Sequence, residues 1–252
     1  MSQPIQNSFA RYEKKYFLTP AGQKTLLQAI GSYIKMDFYG KYTICNLYYD
    51  TPDWRLIRAS LEKPVYKEKL RVRSYGVPAG DGTVFAEIKK KYRGVVYKRR
   101  ITVPADEVQA LLAGGMPRVL EHDYGQIGKE IAWFQHVYAA QPRVFIGYDR
   151  IAFAGVEDPE LRITFDTNLR WRDTELDLRL GDHGAPILPD DRVLMELKLP
   201  GTCPLWLSRI LTEVGAAPVS FSKYGSCYCQ HIVGTARQHF ITKNPKEVFF
   251  CA

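Results

Sequence analysis

The 252-residue chain lacks the features that mark zinc, disulfide-bonded or membrane-spanning proteins. Its five cysteines form no Cys-x-x-Cys pair and no zinc-type spacing, and an odd count without a secretory segment favours reduced thiols in a cytosol. No apolar run approaches the roughly 18 residues that a membrane span needs. A Walker glycine-rich loop, a protein-kinase motif and an internal repeat are also absent. These absences predict a cytoplasmic protein that does not use the common nucleotide-binding loops.

Positive charge is in excess. Lys and Arg number 35 against 27 Asp and Glu, which gives a net charge of +8 and favours an anionic partner such as nucleic acid, anionic lipid or polyphosphate. Strand patterns dominate the chain, helices are inserted between them, and no linker interrupts the sequence. We therefore expect one α+β domain that spans residues 1–252.

Residues 66–103 predict three successive antiparallel strands with one strongly basic face. Side chains alternate faces along a strand, so Lys69, Arg71 and Arg73 share a face of the first strand. The same face of the next two strands holds Glu87, Lys89, Lys91, Lys98 and Arg100. Like charges at this spacing repel, so they are usually dispersed unless an anion lies among them. Two interpretations are open at this point, a solvated charged face and a phosphate-binding surface.

Other predicted strands also have one apolar and one basic face. If a closed sheet turned every polar face inward, its lumen would contain Lys15, Lys69, Arg71, Arg73, Lys89, Lys91, Lys98, Arg100, Arg150, Arg162 and Lys198. Such a lumen makes physical sense as a hydrated tunnel for a polyanion, in which Arg binds phosphoryl oxygens as a fork and Lys as a point charge. The carboxylates Glu13, Glu87 and Glu196 are too few to neutralise it, but they could hold a divalent cation.

Eight stretches in order along the chain resemble one family. They are Arg11–Tyr16, Leu47–Thr51, Lys69–Tyr75, Glu87–Lys89, Gly147–Arg150, Leu161–Asn168, Met195–Lys198 and Phe221–Tyr224. The sequence is similar to the vacuolar transporter chaperone (VTC) polyphosphate polymerase domain, a branch of the triphosphate tunnel metalloenzyme superfamily. The resemblance implies a closed antiparallel β-barrel with inserted helices and a C-terminal helix. It also implies an enzyme that transfers the γ-phosphoryl group of ATP to a growing polyphosphate chain.

The resemblance also implies site residues. The residues expected to act on the phosphoryl groups are Lys15, Arg71, Arg73, Lys89, Lys98, Arg150 and Arg162. Lys223 would add a phosphate-binding cation, and Tyr148 and Ser222 would add hydroxyls; the face pattern adds Lys198. Glu196 would hold Mn²⁺ or Mg²⁺, with Glu87 as a further candidate ligand. The implied ligands are ATP and inorganic polyphosphate or tripolyphosphate.

The sequence differs from its relatives in three respects. Glu13-Lys14-Lys15 replaces the two-glutamate ExExK pattern of other tunnel enzymes, and Ser220 stands where eukaryotic VTC domains tend to have a lysine. The chain has neither the SPX sensor domain nor the membrane segments of the eukaryotic complexes. A channel or regulator is therefore expected to be a separate membrane protein, which could hold this chain at the inner face of a membrane.

Two other functions are compatible with the same residues. One is a metal-dependent triphosphatase or nucleotide hydrolase on the same fold; the other is a non-catalytic module that binds polyphosphate or RNA. Binding of nucleic acid usually adds aromatic side chains beside the basic strip. We interpret Tyr66, Tyr75 and Tyr97 as out of phase with the basic residues and expect no nucleic acid. Lys90 and Arg99 are expected to be solvated, and the sequence leaves the oligomeric state and the preferred metal open.

Overall fold

The computed structural model describes residues 12–93, 95–115 and 117–234. Arg11 and Cys251 lie outside the described residues, and so does the end of the last helix, which the sequence pattern predicts to run from Ser220 to about Phe240. The chain divides into two compact units, each described by itself. Of the described residues, unit 1 contains those up to Tyr42, Tyr148–Asn168 and Leu188–Phe221, and unit 2 contains Thr43–Gly147, Leu169–Ile187 and those from Ser222.

Antiparallel strands make up most of the described structure. They are β1 (Tyr12–Leu18), β2 (Ile34–Asp50), β3 (Tyr66–Tyr75), β4 (Thr83–Tyr92), β5 (Val95–Pro104), β6 (Gln141–Gly155), β7 (Arg162–Arg172), β8 (Ala185–Pro186), β9 (Val193–Leu199) and β10 (Pro218–Val219). Their hydrogen-bonding order is β10-β1-β9-β7-β6-β2-β3-β4-β5, with β8 on β7. In the described part of the chain this order ends at β10 and β5, so the predicted closed barrel is wrong in this respect. Alternation fixes the face of each side chain, but it does not fix which edge strands pair.

Helices are inserted between the strands, as expected. They are α1 (Pro20–Ile30), α2 (Arg55–Leu61), α3 (Val108–Ala110), α4 (Pro117–Asp123), α5 (Gly125–Tyr138), α6 (Leu205–Glu213) and α7 (Lys223–Cys227). The Thr19 hydroxyl caps α1 by accepting from the Gly22 amide at 3.0 Å, with Pro20 in the first turn. The apolar pattern after Thr19-Pro20 predicts a helix to about Ile34, but α1 ends at Ile30 because Ile34 already begins β2. A π-helical turn at Tyr228–Ile232 continues α7.

Unit 1 has its own apolar core and one polar strand face. Buried side chains from β1, β7, β9, α1 and α6 form the core. In the register of β1, β9 and β7, Glu196 of β9 lies opposite Lys15 of β1 and opposite Thr164 of β7. Directly opposite residues share a face, so this register confirms that the polar residues of these three strands lie together.

Unit 2 contains the three-strand segment predicted from residues 66–103. Leu70, Ile88 and Ile101 are buried in its core, on the face covered by α5 and the preceding helical turns. The register pairs Arg71 with Glu87, and Lys69 with Lys89. The pairs of β4 with β5 extend these two rows to Arg100 and Lys98. The predicted shared face is therefore confirmed; it contains Lys69, Arg71, Arg73, Glu87, Lys89, Lys91, Lys98 and Arg100, and we call it the basic face.

The core side of the same sheet also carries an ion-pair network. Lys90 donates to Glu130 of α5 at 2.9 Å, and Arg99 donates to the other oxygen of the same carboxylate at 2.7 Å. Both side chains face away from the basic face and Arg99 is exposed, as expected, but the ion pairs with Glu130 were not predicted. The partner was not visible from the strands alone, because Glu130 lies 31 or more residues away on a helix.

Candidate functional site

Glu87 is the centre of a buried ion-pair cluster in unit 2. Its side chain is 1% exposed, and its Oε2 atom lies 2.7 Å from both Nε and Nη2 of Arg71. Lys98 Nζ lies 2.9 Å from Oε1, and Arg73 Nε lies 3.8 Å from Oε2. We call these four residues the Glu87 cluster. One carboxylate thus holds two guanidinium groups and one ammonium group at fixed positions on the basic face.

The cluster shifts the pKa values of two of its members. Burial alone would raise the pKa of Glu87, but Arg71, Arg73 and Lys98 outweigh this effect and lower it to about 2. Glu87 is therefore ionised at neutral pH. For Lys98, burial lowers the pKa to about 8, and the attraction of Glu87 opposes this only in part. A bound polyanion would favour the charged ammonium and raise this pKa again.

Two side chains of β2 complete the environment of the arginines. Arg73 Nε donates to Asn46 Oδ1 at 3.0 Å, and Arg71 Nη1 donates to the Tyr48 hydroxyl at 3.2 Å. Asn46 and Tyr48 pair with Arg73 and Arg71 in the register of β2 with β3. Neither residue was predicted from the sequence, although their alternation along β2 would have placed them on one face.

Aromatic side chains also border the basic face, which corrects one prediction. Tyr75 lies 5.9 Å from Phe85 between ring centroids, and Phe85 pairs with Arg73 in the register. The guanidinium carbon of Arg100 lies 4.6 Å from the Phe85 ring centroid. Tyr75 is therefore in phase with Arg71 and Arg73, as a period of two from residue 73 requires. Tyr66 and Tyr97 share the opposite face, as predicted.

Glu196 is the centre of a second cluster, in unit 1. Its Oε1 atom lies 3.5 Å from Lys15 Nζ, and its Oε2 atom lies 3.3 Å from Arg150 Nη2. Lys15 Nζ also lies 3.4 Å from Glu13 Oε1 and donates to the Phe221 carbonyl at 3.0 Å. The Lys15 ammonium therefore lies between two carboxylates.

Arg150 is held in this cluster by a residue that the sequence analysis did not assign to the site. Asp166 is fully buried and accepts from Arg150 Nε at 2.5 Å and from Nη2 at 2.7 Å. This two-point contact fixes the plane of the guanidinium group. Tyr148 is buried beside it, with its ring centroid 5.2 Å from the Arg150 guanidinium carbon. We call Glu13, Lys15, Arg150, Asp166 and Glu196 the Glu196 cluster.

The two clusters differ in charge balance. On the basic face, Glu87 is the one carboxylate among seven cations, as the sequence predicted. In the Glu196 cluster, by contrast, Glu13, Asp166 and Glu196 outnumber Lys15 and Arg150. On the whole polar face of unit 1, Arg162 and Lys198 bring the cations to four against these three carboxylates, so the expected excess of cations is smaller there than in unit 2.

This difference bears on where a divalent cation would fit. Mg²⁺ and Mn²⁺ prefer oxygen ligands, and Mg²⁺ in phosphate-handling sites is bound by one or two carboxylates plus substrate phosphates and water. Glu196 and Glu13 already share one cation, and the buried Thr164 hydroxyl opposite Glu196 has no hydrogen-bond partner among the described residues. The oxygen atoms of these three side chains fit Mg²⁺ or Mn²⁺. Glu87 fits such an ion less well, because its two oxygens lie 2.7 and 2.9 Å from basic groups, closer than the 3.5 and 3.3 Å contacts of Glu196.

The remaining predicted residues occupy varied environments. Lys89 and Arg162 are exposed, Lys198 and Lys223 are half-buried, and Arg162 pairs with Lys198 in the register of β7 with β9. The Ser222 hydroxyl caps α7 by accepting from the Gly225 amide at 3.2 Å. Among the described residues, no group of three or more His, Cys, Asp and Glu side chains is arranged to hold a metal by itself.

Comparison with known proteins agrees with this description. Residues 10–232 match the VTC domain. No curated protein sequence matches the chain. Among solved structures, HpAC1 from Hippeastrum, described as a candidate adenylyl cyclase with a dominant triphosphatase activity, is 18% identical, with a TM-score of 0.51 over 88% of this chain and 95% of that chain.

A second solved structure, from Vibrio parahaemolyticus, is described as a candidate adenylate cyclase. It is 13% identical, with a TM-score of 0.49 over 88% of this chain and 98% of that chain. At 18% identity, the likeness to HpAC1 extends to the fold, a mostly antiparallel sheet with inserted helices. The match to residues 10–232 covers most of the sequence, and the chain belongs to the VTC domain family.

Proposed function

We propose that this chain is a metal-dependent polyphosphate polymerase, which transfers the γ-phosphoryl group of ATP to a growing polyphosphate chain. Membership of the VTC domain family supports this assignment. The observation that carries it is the surplus of oriented cations around Glu87. A solvated charged face would not need a carboxylate that is 1% exposed to hold Arg71 and Lys98 at 2.7 and 2.9 Å. Such a surface suits a ligand with several negative charges in a row.

The chemistry asks little of the protein beyond binding, alignment and charge stabilisation. Phosphoryl transfer spreads negative charge over the oxygens of the transferred group, so fixed cations lower its barrier. Arg71 and Arg73 have forks suited to phosphoryl oxygens, and Lys98 and Lys89 act as point charges. Arg150 and Lys15 would have the same role in unit 1. Mn²⁺ or Mg²⁺ held by Glu196 and Glu13 would supply further charge neutralisation on phosphate oxygens.

A metal-dependent triphosphatase is the second candidate. The same cations would bind a triphosphate equally well, and water would replace polyphosphate as the acceptor. HpAC1, whose fold this chain shares, is described as having a dominant triphosphatase activity, which favours this candidate. A module that only binds polyphosphate is the third, and it needs the cations but no turnover. The basic tunnel that the family resemblance implies is part of the first two proposals, the polymerase and the triphosphatase.

The partners remain proposals as well. ATP and polyphosphate or tripolyphosphate follow from the proposed reaction. That the chain does not bind nucleic acid stays a prediction. Because Tyr75 and Phe85 lie beside the basic face, titration with oligonucleotides is a specific test of it. A separate membrane protein that holds the chain at the inner face of a membrane is likewise a proposal. None of the described helices has the length and apolar character needed to cross a bilayer.

Product analysis separates the three candidates. The protein is incubated with ATP and Mn²⁺, and the products are sized by gel electrophoresis while ADP and free phosphate are quantified. Polyphosphate with an equivalent amount of ADP supports the polymerase; free phosphate without polymer supports the triphosphatase. If neither forms, a thermal shift with millimolar tripolyphosphate tests the binding module. A ligand at about 100 times its Kd stabilises the folded state by roughly 2.7 kcal/mol, so a binding protein would melt at a clearly higher temperature.

A further inference from the structure

Asp50 is a buried carboxylate outside the two clusters, at the end of β2 in unit 2. It is 0% exposed, and its two oxygens accept hydrogen bonds from three backbone amides and two hydroxyl groups. The amides of Thr51 and Leu56 donate to Oδ1 at 2.8 and 2.9 Å, and the amide of Ile57 donates to Oδ2 at 3.0 Å. The Thr51 hydroxyl donates to Oδ1 at 3.4 Å, and the Tyr224 hydroxyl, 174 residues away in sequence, donates to Oδ2 at 2.7 Å. The bonds from residues 51–57 secure the start of α2, whereas the bond from Tyr224 secures α7.

The Tyr224 ring connects this carboxylate to the basic face. It stacks on the Tyr48 ring with centroids 4.6 Å apart and an interplanar angle of 24°. The ammonium of Lys69 lies 5.6 Å from the Tyr224 ring centroid, within the range of a cation–π interaction. Tyr48 in turn accepts from Arg71. A continuous series of contacts therefore runs from Asp50 through Tyr224 and Tyr48 to Arg71.

Tyr224 also fixes the segment that carries two expected phosphate-binding residues. Ser222 and Lys223 directly precede it, and the Ser222 hydroxyl is already committed to the cap of α7. Burial and the neighbouring Asp50 raise the pKa of Tyr224, so its hydroxyl keeps its proton and remains a donor. Rotation or displacement of α7 would break this buried, charge-assisted bond, which is stronger than a bond between neutral groups.

We propose that Tyr224, held by Asp50, is a positioning residue that fixes the positions of Lys223 and Arg71 for phosphate binding. The inference rests on the proposed function, because it assigns Tyr224 a role in the same site. Tyr224 does not itself contact a phosphate in this role. Its hydroxyl sets the position of α7, and with it Lys223. Its ring sets the position of Tyr48, and with it Arg71. A change in either position alters phosphate binding through these two cations.

Two Tyr→Phe substitutions provide a matched pair. Tyr224→Phe keeps the stacked ring and removes the hydroxyl that Asp50 binds. Tyr49→Phe removes an equally buried hydroxyl, 2% exposed as a residue, that has no hydrogen-bond partner in the described part of the chain. Tripolyphosphate affinity is measured by titration calorimetry in chelator. We expect Tyr224→Phe to bind about tenfold more weakly, the scale of one charge-assisted hydrogen bond, and Tyr49→Phe to bind as the wild type does.

A double-mutant cycle distinguishes positioning from a general loss of stability. If Tyr224 acts through Lys223, Tyr224→Phe should weaken binding much less in a Lys223→Ala background than in the wild type. Equal losses in both backgrounds would overturn a role through Lys223. Tyr48→Phe tests the other branch, and its effect should disappear in an Arg71→Ala background; additive losses there overturn a role through Arg71. If Tyr224→Phe does not fold, this second cycle still decides whether the aromatic pair positions Arg71.

The same data separate this inference from the proposed function. A wild-type protein that does not bind tripolyphosphate contradicts both. Wild-type binding that weakens in Lys223→Ala and Arg71→Ala, together with full affinity in Tyr224→Phe, supports the phosphate site and contradicts the positioning role. Wild-type binding together with the expected non-additivity supports the phosphate site and the positioning role, and the products formed from ATP then decide between the polymerase and the triphosphatase.

Discussion

Arg71 and Glu87 face each other across β3 and β4, with Nε and Nη2 of the arginine each 2.7 Å from one glutamate oxygen. The carboxylate is 1% exposed, whereas the arginine side chain retains 22% of its surface. Glu87 thus holds the guanidinium group from below and leaves part of it accessible. An arginine that is oriented before the ligand arrives loses less conformational entropy on binding, which favours affinity for phosphate.

This geometry predicts the effect of removing the Arg71 side chain. Arg71→Ala should weaken tripolyphosphate binding by about tenfold or more, with or without metal, because a charge-assisted contact is lost. Arg99→Ala is the matched control, since it removes the same charge from the same sheet on the opposite face, where Arg99 contacts Glu130. Calorimetric titration should give nearly wild-type affinity for Arg99→Ala. Equal losses in the two variants would mean that net charge alone attracts the ligand.

The shifted pKa of Glu87 predicts how stability depends on pH. The folded protein holds this pKa near 2 instead of the ordinary 4.5, so the pair network contributes about 3 kcal/mol that is fully present above pH 4.5. The contribution is lost as the pH falls from 4.5 toward 2. Urea unfolding at pH 6, 4 and 3 measures this loss. Glu87→Gln should be less stable at pH 6 and should lose less stability on acidification; a parallel decline in both proteins would contradict the assignment.

The sequence predicted the strand face of each side chain better than it predicted which residues contact one another. Period-two alternation placed Arg71, Glu87 and Lys98 together correctly, because consecutive antiparallel strands keep a simple register. It could not pair Arg150 with Asp166, or Asp50 with Tyr224, since those contacts depend on strand order and helix placement over 16 and 174 residues. The prediction of a closed barrel was wrong for the same reason. Tyr75 is different, because correct counting along β3 would have placed it on the basic face.

Lys98 gives a second pH dependence, this time in ligand binding. Its pKa is lowered to about 8, in a setting that includes Glu87, Arg71, Arg73 and, in the register, Lys89. Above pH 8 the free protein loses this charge, so tripolyphosphate affinity should decline between pH 8 and 10. Lys98→Arg keeps its charge throughout this range and should remove that part of the decline. The ligand titrates in the same way with both proteins, so a difference between their pH profiles comes from the protein alone. Identical pH profiles would exclude Lys98 as the titrating group.

Glu196 provides the test of metal-dependent chemistry. A carboxylate 3.5 Å from Lys15 and 3.3 Å from Arg150 could serve only as their ion-pair partner, or it could also hold a divalent ion with Glu13. Glu196→Gln keeps the shape and removes one negative ligand. If Glu196 holds the ion, turnover of ATP at saturating Mn²⁺ should fall by at least ~10²-fold, the scale of losing a major transition-state contact. Tripolyphosphate binding in chelator should persist, because a negative charge has left a basic site.

The control is Glu213→Gln, the same substitution at an exposed position at the end of α6 in the same unit. It should leave both turnover and binding unchanged. A purely structural Glu196 would instead lower the melting temperature of Glu196→Gln and leave the dependence of turnover on Mn²⁺ concentration as in the wild type. Turnover measured from micromolar to millimolar Mn²⁺, with melting curves of the three proteins, separates these cases. A well-folded Glu196→Gln protein with unaltered metal dependence would move the metal site away from Glu196.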